Sequence, residues 1–179
     1  MRAIYLEDNL VLIKGSPLTS LYYKREFNRR LHEDLFSFIN KSENNAPLEE
    51  QDYLNAVQIV WALAKTAADS KLVNFDRWLE GFTDLNLSES IADVVTEALN
   101  ATYVGAPKTE SDSEEEQPVT DFEITILVMA KRAGLSFDEL NQLTLKEFID
   151  FANKLTGKQP DEQPRKATQA DIDNFYLTM

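Results

Sequence analysis

One acidic stretch of the sequence divides it into two unequal parts. Residues 108–119 read KTESDSEEEQPV and contain five acids but no large apolar residue before the final valine. Such a run cannot bury enough apolar surface to offset the conformational entropy lost on ordering, so we expect it to stay solvated. We therefore predict an acidic flexible linker at 107–119, between an N-terminal domain at 1–106 and a small C-terminal helical module at 120–157. Residues 158–179 are predicted as a polar tail with a short helix.

Composition limits the classes of function. The absence of cysteine excludes disulfides and thiolate metal sites, and the single histidine excludes a multi-histidine metal site. A net charge of −13 argues against a general phosphate-binding surface, so no nucleic-acid partner is predicted. The chain begins without the apolar run of a signal peptide, and no stretch approaches the ~18 to 20 apolar residues of a membrane span. We predict no metal, no cofactor and no membrane partner.

The N-terminal domain begins with a pattern typical of a β-hairpin. An alternating segment around Ile4 and Leu6 precedes the pair Asp8-Asn9, and the apolar run LVLI follows it, which predicts a turn at that pair. Ser16 and Pro17 then suit the N-cap and first position of a helix predicted to run to about Asn40. The buried stripe of this helix is predicted from apolar residues three or four apart, namely Tyr23, Phe27, Leu31, Leu35 and Phe38.

Apolar spacing predicts three further helices in this domain. The longest, residues 48–68 opened by Pro47, is apolar on most sides, which indicates a central position in a helical bundle. A short amphipathic helix is predicted at residues 75–82. Asn86 and Glu89 have the spacing of a capping pair and predict the start of the fourth helix. The fold class predicted is mainly α, with an N-terminal hairpin.

The C-terminal module is predicted as three helices because three capping boxes occur in it. In this motif a hydroxyl covers the first-turn amides while a glutamate three residues later reaches back to the cap amide. Gly134 is predicted to end the first helix and Gly157 the last. The three boxes are Thr120 with Glu123, Ser136 with Glu139, and Thr144 with Glu147.

Three residues form the predicted partner-binding site. Helical spacing places Arg25, Arg29 and Phe36 opposite the apolar stripe of the first helix. Positive charge beside an exposed aromatic ring, in a chain this acidic, suits a partner face or a contact between copies of the chain. The alternative is that Arg29 with Glu33, and Arg30 with Asp34, form simple surface pairs four residues apart.

Enzyme motifs are nearly absent. The sequence has no Gly-rich phosphate loop and no nucleophile elbow, so no catalytic residue is predicted. His32 stands beside Glu33 and Asp34, which leaves open an enzyme that uses His32 as a general base. A helix histidine without a catalytic role is the simpler interpretation, because nothing else marks an active site.

Two segments resemble a known family. Residues 57–82, VQIVWALAKTAADSKLVNFDRWLEGF, resemble the central helices of phage tail assembly chaperones from Gram-positive hosts, in which a Trp-Ala-Leu-Ala helix precedes a short Phe-x-x-Trp-Leu helix. Residues 126–155 resemble the end of the longer, frameshifted form, where a sequence such as AGLSFDEL, here residues 133–140, follows an acidic connector. The resemblance covers most of the chain.

The resemblance implies a non-enzymatic chaperone for phage tail assembly. Such a protein coats the long helical tape-measure protein, keeps its apolar surfaces soluble, and recruits tail-tube subunits through the C-terminal module. The resemblance further implies a homo-oligomer, a location in the host cytoplasm, and absence from the mature virion. It also implies ribosomal frameshifting, with the join near the linker.

Two further alternatives stay open at the level of sequence. Motifs that serve packing and capping also suit a generic cytosolic helical adaptor or regulatory protein that is unrelated to virions. Within the linker, Ser111 and Ser113 precede acids and suit phosphorylation in a eukaryotic host, whereas a solvated spacer needs no modification.

Overall fold

A computed structural model describes four stretches of the chain, residues 1–44, 46–83, 85–102 and 122–155. Within them the chain is mainly helical and has one antiparallel two-stranded sheet, which confirms the predicted fold class. The predicted linker, the polar tail, and the helix end predicted from Gly157 lie outside the described residues. No helix in these stretches is long and apolar enough to cross a membrane.

The elements are numbered in chain order. They are β1 (Arg2–Leu6), β2 (Asn9–Ile13), α1 (Pro17–Phe27), α2 (Leu31–Glu43), α3 (Glu50–Ala67), α4 (Phe75–Leu79), α5 (Ile91–Asn100), α6 (Phe122–Arg132), α7 (Phe137–Gln142) and α8 (Leu145–Leu155).

The predicted hairpin is confirmed, but its turn lies one residue earlier than predicted. Leu6 pairs with Asn9, so Glu7 and Asp8 form the turn, and Glu7 adopts the positive φ of 52° that a tight hairpin turn requires. This register directs Ile4, Leu6 and Ile13 into the core. A shift by one residue would move this apolar set to the solvent face, so burial fixes the turn.

The prediction of one helix up to Asn40 is wrong, because the helix breaks at Asn28. Asn28 adopts the left-handed conformation (φ 53°, ψ 31°), and its N–H donates to the carbonyl of Lys24 at 2.8 Å. Asparagine tolerates this conformation better than most residues, so it can end α1 and let α2 turn onto the core. The predicted stripe survives the break, since four of its residues are buried and Phe27 packs against the core.

Helix α3 is the central helix of the main core, as predicted. Every residue from Asn55 to Ala64 is buried. The helix begins at Glu50, not directly after Pro47, because Glu49 is its N-cap and donates its N–H to Asp52 at 2.8 Å. Outside that stretch Leu54 is exposed and Ala67 is half-buried.

Asn86 does not cap the fourth helix, contrary to prediction. Its side chain accepts bonds from the N–H and Oγ of Ser88, at 2.9 and 2.7 Å, and so holds a local turn. The helix α5 begins at Ile91, after Ser90. The turn allows Leu87 to enter the core before the helix starts.

Two of the three predicted capping boxes are confirmed. The N–H of Ser136 donates to Glu139 and that of Thr144 to Glu147, both at 2.8 Å, and each glutamate N–H returns a bond of 3.2 Å to the hydroxyl. Gly134 follows α6 with a φ of 75°, also as predicted. Thr120 of the first box lies outside the described residues, and the carboxylate of Glu123 contacts Lys24 at 3.4 Å.

These two boxes predict an acid-sensitive contribution to stability. Bonds from the cap backbone and hydroxyl lower the pKa of Glu139 and of Glu147 below the ordinary 4.5. A carboxylate with a lowered pKa stabilises the fold above its unfolded pKa, and the contribution disappears as pH falls through the folded value. Replacing both glutamates with glutamine should therefore flatten the fall of melting temperature between about pH 5 and about pH 3. The matched control is Asp138→Asn, at an exposed neighbouring position. If the melting temperature falls equally with pH in the wild type, the double variant and the control, the prediction is contradicted.

Helices α6 and α7 pack directly on α1. A second core forms where Leu18, Leu21 and Tyr22 of α1 meet an apolar set from α6, α7 and α8, whose buried members are Ile126, Ala130, Leu140, Leu145, Phe148. The N-terminal and C-terminal parts of the described chain therefore share a buried apolar contact.

Asn141 joins these parts through polar bonds at the edge of the second core. Its Nδ2 donates to the carbonyl of Thr66 at 3.2 Å and to Asp69 Oδ1 at 2.9 Å, while its Oδ1 accepts from Ser16 Oγ at 2.9 Å. The side chain is buried, and its amide bonds to groups at the start of α1 and at the end of α3. Such a satisfied polar contact fixes the orientation of α7 against α1 and α3.

Candidate functional site

An apolar groove of about 650 Å³ opens on the surface of the described chain. It lies between α2, the first half of α3, and the segment that leads into α5. We call it the α2–α3 groove, and its lining is Phe38, Ser42, Leu48, Tyr53, Ala56, Val57, Leu85, Asn86, Leu87, Ser88, Ile91.

The floor of the α2–α3 groove belongs to the main core, whereas its rim is open to solvent. Phe38, Val57 and Leu87 are buried and form part of the core cluster. Tyr53 stands at the rim with 56% of its surface exposed. An open groove with an apolar floor and an exposed aromatic at its rim suits the apolar side chains of a partner.

An ion pair fixes the two helices beside the groove. Lys41 Nζ donates to both carboxylate oxygens of Asp52, at 2.9 and 2.8 Å. The hydrogen bond to Asp52 raises the pKa of Lys41, and the bond from Lys41 lowers the pKa of Asp52. Because Lys41 precedes Ser42 and Asp52 precedes Tyr53, the pair holds α2 and α3 together where the groove opens.

The structure does not place the three predicted partner residues in one strip. Arg25 is exposed on α1, Phe36 is half-buried on α2, and the break at Asn28 separates the two helices. Their role in binding a partner stays a prediction.

Arg29 is directed into a polar cluster instead of outward. Its guanidinium donates to Asn55 at 2.9 Å, to Tyr23 OH at 3.3 Å and to Asp34 at 3.4 Å, and it also bonds Gln58. These bonds join the α1–α2 junction to α3.

Tyr23 belongs to the same cluster and donates its hydroxyl to Asp34 at 2.6 Å. Burial, together with that bond, raises the pKa of Tyr23 above its ordinary value. The phenol therefore stays protonated and serves as a hydrogen-bond donor to Asp34, and the cluster fixes the helix junction.

Arg25 lines a second cleft, of about 300 Å³, where α1 meets α7. Tyr22 and the exposed ring of Phe137 line the same cleft. Arg25 therefore shares a cleft with aromatic side chains of α1 and α7, and Phe36 of α2 does not line it.

Among the described residues, no group of three or more acidic or histidine side chains is placed to hold a metal ion. His32 is half-buried on α2.

Sequence reasoning did not identify the α2–α3 groove. Leu85 and Leu87 gave the one local signal, two apolar residues in a short polar segment before a helix. Comparison of the chain with protein-family models, with curated proteins and with solved structures finds no match.

Proposed function

We propose that this chain is a non-enzymatic tail assembly chaperone, which coats the tape-measure protein of a phage and recruits tail-tube subunits through residues 120–157. It acts in the host cytoplasm and is absent from the mature virion. The proposal combines the family resemblance of residues 57–82 and 126–155 with one structural observation, the α2–α3 groove.

The α2–α3 groove suits an amphipathic helix. Such a helix presents apolar side chains every three or four residues along one face, and it aggregates when that face is exposed to water. The apolar floor of the groove can bury those side chains, while the polar residues Ser42, Asn86 and Ser88 remain at the surface. A net charge of −13 keeps the resulting complex soluble.

A second surface supports the recruitment of another subunit. On α6, Ile126 and Ala130 face α1, whereas Ile124 and Val128 are exposed. Residues four apart lie on one face of a helix, so Ile124 and Val128 form a continuous apolar patch. This patch is available while the groove is occupied, because α6 contributes nothing to the groove lining.

Truncating the rim of the groove should weaken binding of the tape-measure protein. In Tyr53→Ala the partner loses an exposed aromatic contact, for which we expect a loss of about 1 to 2 kcal/mol, or about tenfold in Kd. Leu54→Ala is the matched control, since Leu54 is an exposed neighbour (39%) on the same helix that does not line the groove. Titration of both variants with purified tape-measure protein measures the difference. Equal Kd values for the two variants would exclude the groove as the binding site, and tight binding of other helical proteins with equal affinity would favour a generic adaptor.

A further inference from the structure

The hairpin has one covered edge and one open edge. The outer edge of β1 is covered by α5 and the segment before it, where Ser90 Oγ donates to the carbonyl of Tyr5 at 3.3 Å and Arg2 pairs with Asp93. On β2, the N–H groups of Leu10 and Leu12 have no hydrogen-bond partner among the described residues.

Hairpin geometry explains why these two amides face outward. The two-residue turn makes Leu6 and Asn9 the closing hydrogen-bonded pair, and bonded and non-bonded pairs alternate from there. Leu10 and Leu12 therefore belong to non-bonded pairs, and their backbone groups point away from β1. Lys14 follows the same alternation, and its N–H points outward to the carbonyl of Leu63 at 3.2 Å.

The open edge of β2 also carries apolar side chains and adjoins an apolar groove. Leu10 is 59% exposed and Leu12 is 47% exposed. Beside them lies a groove of about 250 Å³, whose other walls are Ala64, Ala67, Ala68, Leu72 and Trp78. An unpaired edge with exposed apolar side chains is a template for a further strand.

We propose that this edge binds a second copy of the chain, with the two β2 strands antiparallel and Val11 on the two-fold axis. In this register Leu10 of one copy lies opposite Leu12 of the other, and their outward N–H and C=O groups form four hydrogen bonds across the axis. Leu10 and Leu12 side chains pair on the exposed face, and the two Val11 side chains meet on the groove side.

The charges at the ends of β2 favour this partner and this register. Asp8 lies at one end and Lys14 at the other, and neither side chain forms an ion pair within the described stretches. The antiparallel pairing centred on Val11 places Asp8 of each copy opposite Lys14 of the other, on the same face as the leucines. A parallel pairing would place like charges side by side.

Cysteine crosslinking of the full chain tests the register, because the chain has no cysteine of its own. Residues on the axis form a non-bonded pair with Cα atoms about 4.5 Å apart, which suits a disulfide. Under mild oxidation we expect Val11→Cys to form a covalent dimer at least about fivefold faster than Tyr5→Cys, an exposed β1 residue on the hairpin's outer face. Faster crosslinking through Leu10→Cys or Leu12→Cys would instead indicate a register shifted by one step and overturn the proposed one.

Light scattering of the wild-type chain tests the dimer itself. The mass should rise from 20.4 kDa towards twice that value as concentration reaches about 100 µM, since so short an interface is weak. Asp8→Lys and Lys14→Asp should each weaken the dimer at least about threefold, and the double variant should restore it, which a merely structural role would not do. A chain that stays monomeric at every concentration, or a double variant no better than the single ones, would overturn the proposal. If the chain stays monomeric, the open edge of β2 would instead suit a strand of a different protein.

Discussion

Replacement of Gly15 by alanine should remove about 3 kcal/mol from the free energy of unfolding. A Cβ at this position would lie 1.7 Å from the carbonyl oxygen of Glu97 and 2.8 Å from its carbonyl carbon. Both atoms belong to the backbone of α5, so no side-chain rotation relieves the overlap, and the strand end or the helix must move. The expected loss is at the upper end of the usual range for overpacking.

Movement at Gly15 would also break the contact that joins the hairpin to α5. The N–H of Gly15 donates to the Glu97 carboxylate at 2.8 Å, and Glu97 is buried. A buried carboxylate that loses a donor carries a desolvation cost of its own, which adds to the steric one. The two effects come from one substitution because backbone and side chain of the same residue, Glu97, lie against Gly15.

Urea unfolding followed by circular dichroism measures the loss. Gly81→Ala is the matched control, since the nearest atom to its added Cβ is the Trp78 carbonyl oxygen at 3.2 Å, and we expect it to cost less than about 1 kcal/mol. If Gly15→Ala unfolds at the same urea concentration as Gly81→Ala, the hairpin does not pack against α5 as closely as the structure shows.

Trp61→Ala should cost about 3 to 5 kcal/mol, the range for removal of a buried aromatic. The indole is fully buried in α3, and its ring contacts Phe27 and Phe75 edge to face, at centroid distances of 5.5 and 6.3 Å. Its Nε1 donates to the carbonyl of Val73 at 3.0 Å. The truncation would leave a cavity where α1, α3 and α4 meet and would free that carbonyl.

Trp61→Phe separates these contributions, because it keeps an aromatic ring in the cluster and removes the indole N–H. We expect it to cost about 1 to 2 kcal/mol, well below the alanine variant. Thermal and urea unfolding of both variants measure the difference. Equal losses in the two variants would mean that the hydrogen bond to Val73, and not the packing of the ring, holds α3 against α4.

Local patterns predicted the elements of this fold well where the decisive contacts are local. The boxes at Ser136 and Thr144 and the cap at Ser16 depend on residues within a few positions, so spacing alone identifies them. The central position of α3 follows from its continuous apolar surface. A left-handed residue such as Asn28 interrupts a helix without disturbing the apolar stripe, so the spacing of Tyr23 to Phe38 gave no sign of the break.

The candidate site could not be predicted from the sequence, because its contacts are not local. Phe38, Val57 and Leu87 are far apart along the chain, and only the fold brings them together on one groove floor. The inward direction of Arg29 depends on Asn55 and Gln58, which lie on another helix. Likewise, Asn141 bonds groups 75 and 125 positions away, and no spacing rule reaches that far.

Co-expression with the tape-measure protein tests the proposed function most directly. The tape-measure protein should be soluble and co-purify with the wild-type chain, and Tyr53→Ala should lower the recovered amount relative to Leu54→Ala. A tape-measure protein that precipitates equally with and without the chain would contradict the chaperone function.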